Sequence, residues 1–181
     1  MEMPVFTIRG KNHRERGVDY GVQCKELIQG VLERYIRFFN GGHTAVSWDE
    51  AKVISKEFLP FIRSYSPELL DELEGIAQGA DVEFDDLLTL NSRSEAMTLV
   101  RRPPSDKEEL DGCSSVAVLP DASANGHTIL AQNWDTYTWQ EYGTVILQIL
   151  RDDGPDLMIV TEAGQLARYG MNHPQQSVDI V

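Results

Sequence analysis

Cysteine is scarce in this sequence: Cys24 and Cys113 are the only two among 181 residues. They stand far apart, with no Cys-x-x-Cys pair and no histidine at ligand spacing, which argues against a zinc site and a disulfide framework. The four histidines, His13, His43, His127 and His173, are scattered through polar or turn-like surroundings and read as solvent-exposed. Positive charge is also short. Sixteen basic against 29 acidic residues leave a formal net charge of −13, which repels phosphate backbones and anionic lipid surfaces. Neither nucleic acid nor a membrane is expected as a partner. No apolar run approaches the length of a membrane span, and Met1 to Gly10 lacks the apolar centre of a signal peptide. The expectation is a cytoplasmic protein whose thiols are reduced. Phosphate loops and dinucleotide fingerprints are missing as well, so no bound cofactor or metal is expected.

What is present is globular in composition, with 41% hydrophobic and 25% charged residues. The first half reads as helices. Leu27, Ile28, Val31, Leu32, Tyr35, Ile36 and Phe39 recur at helical spacing and stop at Asn40-Gly41-Gly42. Ser47 caps a second helix with Asp49 and Glu50 in its first turn, and Pro60 should kink or divide it. Ser66-Pro67-Glu68 opens a third, in which Gly75 and Gly79 predict close packing against a neighbour. A short fourth helix is expected from Phe84 to about Leu90.

Residues 101–110 combine proline, serine and alternating charge and read as a linker or an ordinary surface loop. Beyond Gly112-Cys113 the character changes. Ser115 to Leu119 and Thr128 to Asn133 read as strands joined through a turn at Asn125-Gly126. Thr144 to Leu150 and Leu157 to Val160 are nearly all apolar, as strands covered on both faces would be. A thiol that follows glycine and opens a β-prone run suits an N-terminal nucleophile, provided the chain cuts itself between Gly112 and Cys113. Cys113 would then carry a free α-amino group as general base beside its own thiol. Ser115, two residues on and facing the same way, is placed to bond that amine or assist processing. Asn133 either donates to an intermediate or holds its turn. Asp135, read alone, is a turn aspartate before Thr136.

Several stretches in order carry a resemblance: Leu73-Glu74-Gly75-Ile76-Ala77-Gln78-Gly79-Ala80, Leu90-Asn91-Ser92-Arg93-Ser94-Glu95, Asp111-Gly112-Cys113-Ser114-Ser115, Gln132-Asn133-Trp134-Asp135 and Thr161-Glu162-Ala163-Gly164. Together they resemble the acyl-coenzyme A:6-aminopenicillanic acid acyltransferase (penicillin acyltransferase-like) family of N-terminal nucleophile hydrolases. The resemblance implies an α+β fold, a four-layer αββα sandwich made as an inactive precursor and preceded by a helical region. It further implies that Asp135 orients the Cys113 amino group, and that the substrate is a small-molecule amide or acyl group. The expected organisation is a helical N-terminal region at 1–100, a processing linker at 101–112 and the first part of the catalytic domain at 113–181.

The stretch from Cys113 to Val181 is too short for two sheets and two helical layers, so the sandwich is expected to be incomplete. Oxyanion-stabilising and basic groups of later strands have no counterpart here. Exposed sheet edges then favour self-association. The alternative to a self-processing amidohydrolase or acyltransferase is a truncated, inactive remnant whose helical part binds a partner chain.

Overall fold

The computed structural model describes residues 3–99 and 113–173. The linker at 101–112, Gly112 included, lies outside the described residues. The chain divides into two compact units, residues 1–101 with 139–181, and residues 102–138.

The larger unit has an α+β architecture. It begins with a strand, β1 (Val5–Ile8), at the start of the region expected to be helical. Next comes α1 (His13–Gln23), capped by the Asn12 side chain, which accepts from the Glu15 amide at 2.9 Å. No apolar stripe announces this helix in the sequence. Its packing face is glycine instead: Gly17 and Gly21 lie against Gly75 and Gly79 of α5 (Pro67–Ala80), so closely that a Cβ on any of the four would meet backbone. The close packing predicted for Gly75 and Gly79 is therefore present, with α1 as the neighbour.

The anticipated stripe forms α2 (Lys25–Phe38), which buries Ile28, Val31, Leu32 and Tyr35 and passes into a π turn at Phe39–His43. Ser47 and Glu50 make a reciprocal capping box at the start of α3 (Trp48–Lys56). The chain then breaks, and Pro60 sits in the first turn of α4 (Leu59–Tyr65). Pro67 opens α5, where a missing N–H costs nothing. The last helix, α6 (Phe84–Leu99), runs well beyond the expected end near Leu90. It bends at Ser92, whose Oγ lies 2.7 Å from the Leu88 carbonyl, then continues because Ala96 is buried in the core.

Strands β4 (Thr144–Ile149), β5 (Asp156–Glu162) and β6 (Tyr169–His173) join β1 in one sheet of order β1-β4-β5-β6. β1 is parallel to β4, and the other pairs are antiparallel. Val145, Leu147 and Ile149 face the same core as the helices, whereas Thr144, Ile146 and Gln148 are only half-buried. Coverage on both faces, expected from the apolar runs, is thus corrected to one fully buried face. Arg16, 1% exposed, ties the start of α1 to the β4–β5 turn through Asp153. Hydrogen bonds from Arg151 and Arg16 hold the Asp153 carboxyl down at about 2.

The smaller unit contains a hairpin, β2 (Ser114–Val118) antiparallel to β3 (Ile129–Asn133). Its connection includes a 3-10 turn at Pro120–Ala122 and Gly126 at φ 72°, a left-handed conformation that glycine adopts without strain.

Candidate active site

The hairpin carries the residues singled out from the sequence. Its register pairs Ser114 with Asn133 and Ser115 with Gln132. One step outside this ladder stand Cys113 on one strand and Trp134 on the other. Cys113 is exposed, Trp134 half-buried. Ser115 shares the face of Cys113 by the two-residue period of a strand, while Asn133, opposite Ser114, lies on the other face. Asn133 Nδ2 donates to Asp135 Oδ1 at 2.7 Å, so the structure brings these two together. Gly112 lies outside the described residues.

The second thiol has a different setting. Cys24, at the junction of α1 and α2, is 1% exposed, and burial, with the Asp19 charge second, pushes its thiol up to about 12. Such a thiol is a poor nucleophile at neutral pH. The histidine expectation needs correction at one point: His13 is half-buried and its Nδ1 stands 2.9 Å from Glu72 Oε2. Among the described residues no group of His, Cys, Asp and Glu could hold a metal ion, and no helix is long and apolar enough to cross a membrane.

Arg93 and Glu162 stand in two of the sequence motifs, with no sign in the sequence that they meet. In the larger unit Glu162, fully buried, pairs with Arg93 at 2.8 Å. The same carboxylate accepts from Tyr35 Oη at 2.9 Å, Gln165 Nε2 at 2.6 Å and Gln140 Nε2 at 3.4 Å. Burial raises the Tyr35 hydroxyl well above its ordinary range; the Arg93 charge opposes this and Glu162 adds to it. Asn91 joins the cluster by bonding the Gly164 carbonyl at 2.9 Å and the Leu166 amide at 3.0 Å. A charge directly after an apolar strand run was the signal available, since a buried carboxylate requires a partner.

The chain is 29% identical over 159 residues to the "Acyl-coenzyme A:6-aminopenicillanic-acid-acyltransferase 40 kDa form" of Emericella nidulans, covering 85% of this chain and 41% of that protein. It is 28% identical over 187 residues to the "Beta-alanyl-dopamine/carcinine hydrolase" of Drosophila melanogaster, covering 94% of this chain and 46% of that one. Both similarities support the resemblance to a penicillin acyltransferase-like family. The chain spans less than half the length of these two curated relatives. No family model matches it.

Proposed function

We propose that this chain belongs to a cysteine N-terminal nucleophile enzyme that transfers or hydrolyses acyl groups held in small amides, with Cys113 as the nucleophile. The observation that carries the reading is the contrast between the two thiols: Cys113 is exposed at the head of a strand, beside a strand ending in the Asn133–Asp135 pair, and Cys24 is buried. One relative is named an acyltransferase and the other a hydrolase, which supports the same chemistry. The finer fold that goes with it is the αββα sandwich, divided at the linker 101–112. The surroundings that suit it are cytoplasmic and reducing. Self-association through the edges of the hairpin accompanies this reading, since every residue of its two strands except the half-buried Val118 is exposed.

The chemistry runs in two stages. In the first, Cys113 Sγ attacks the Gly112 carbonyl carbon, a C–S bond forms, and the C–N bond to Cys113 breaks as its nitrogen takes up a proton. Water opens the resulting thioester, leaving a carboxylate on Gly112 and a free amine on Cys113. An α-amino group titrates at about 7.7–8.0, so part of it is neutral near pH 7 and can accept the thiol proton. Asp135 holds the resulting ammonium, Asn133 fixes Asp135, and Ser115 bonds the amine. In the second stage the thiolate attacks the substrate amide, the ammonium protonates the leaving amine, and the acyl group rests on Cys113 as a thioester. Water completes a hydrolysis; an amine completes a transfer.

The test is amine release from a panel of N-acyl amides. Release by the wild-type chain and its loss in Cys113→Ala support the proposal, and equal release by both chains sinks it.

A further inference from the structure

Residues on either side of the Cys113 segment meet at one buried carboxylate. Residues 102–138 form a unit of their own, inserted between α6 and the 3-10 turn Thr138–Gly143. On the entry side Arg93 of α6 bonds Glu162 Oε2 at 2.8 Å, and its other terminal nitrogen bonds the Leu90 carbonyl. On the exit side Gln140 Nε2 reaches the same Glu162 oxygen at 3.4 Å and also donates to Tyr35 Oη. Gln140 is 6% exposed and Glu162 0%. Two further bonds fix the exit: Thr144 Oγ1 donates to the Gln140 carbonyl at 3.1 Å, and the Ala163 amide donates to Gly143 at 2.8 Å.

We propose that Glu162 is a positioning residue for the chain that flanks the Cys113 segment: by holding Arg93 and Gln140 on one carboxylate oxygen it ties α6 to the turn at which the chain leaves residues 102–138. A core role alone would not call for a polar side chain from a short 3-10 turn reaching inward to this carboxylate. The tether stands on geometry; its effect on acyl chemistry rests on the reading of Cys113 given above.

Gln140→Leu tests it, because leucine fills the space, removes the side-chain bonds to Glu162 and Tyr35 and leaves the Arg93–Glu162 pair intact. Amide hydrogen exchange is read on the full chain. Exchange at residues 139–142 is expected to rise about tenfold or more while β4 and β5 keep their protection. Exchange at 139–142 unchanged in the folded variant overturns the tether. Glu162→Gln is expected to loosen residues 139–142 and the end of α6 together; should that variant fail to fold, Gln140→Leu decides alone. In amine-release assays Gln140→Leu should lower kcat about tenfold with KM unchanged, the mark of a group that positions rather than binds. The exchange readout is independent of whether Cys113 is the nucleophile. A failed tether with Cys113-dependent turnover, and an intact tether without turnover, therefore identify which of the two ideas is wrong.

Discussion

Replacing Gly75 by alanine should destabilise the larger unit, although in most exposed helices the same change stabilises. An alanine Cβ at 75 would stand 2.3 Å from the Arg14 carbonyl oxygen, 2.9 Å from the Val18 nitrogen and 3.0 Å from the Gly17 Cα. Comfortable carbon contacts lie at about 3.5–4.0 Å, so α1 and α5 must part by roughly 1 Å. All three atoms are backbone, and no rotamer change relieves them. Helix propensity favours alanine over glycine by about 1 kcal/mol. Overpacking costs about 1–3 kcal/mol, and a backbone clash belongs in the upper part of that range. The net loss is then about 1–2 kcal/mol. For a chain of this size that is a fall in Tm of about 2–8 °C. Thermal unfolding followed by circular dichroism reads it directly. Gly41→Ala serves as the comparison, since its Cβ meets only the His43 ring, at 3.2 Å, and should move Tm little. A Gly75→Ala chain melting at or above wild type would refute the close-packed glycine face.

Thr161 Oγ1 is buried without a hydrogen-bond partner among the described residues, so Thr161→Val should be neutral or stabilising by up to about 1 kcal/mol in urea unfolding; a loss of stability beyond about 1 kcal/mol would mean that the hydroxyl is bonded. A thiol reagent at pH 8 should label Cys113 promptly and Cys24 only on unfolding, with two equally fast thiols counting against the burial argument. Because the Cys24 thiol is raised to about 12 in the folded chain, its contribution to stability is complete below the unfolded value of about 8.5. It is lost progressively as pH climbs toward 12, so alkaline unfolding should begin later in Cys24→Ala than in wild type after matching for stability at pH 7.

Much of the larger unit was legible because its signals are local. Ser47 with Glu50, and Ser66 before Pro67, mark helix starts within four residues of chain. The apolar runs of β4 and β5 announced strands, but not that one face would stay half-buried. α1 escaped notice because its packing face is made of glycine rather than of apolar side chains, and β1 because four residues with Val5 60% exposed carry no clear pattern. In the Cys113 segment the hairpin was legible from its β-prone runs and the Asn125-Gly126 turn, and the structure adds a bond between Asn133 and Asp135. The Arg93–Glu162 pair was not, since its partners are 69 residues apart and only the tertiary fold brings them together.

Intact mass of the freshly purified chain, followed over hours at neutral pH, tests the central claim most directly. The account predicts two fragments, one ending at Gly112 and one beginning at Cys113, with Cys113→Ala remaining whole. A wild-type chain that stays uncut, or a Cys113→Ala chain that yields the same fragments, would contradict it.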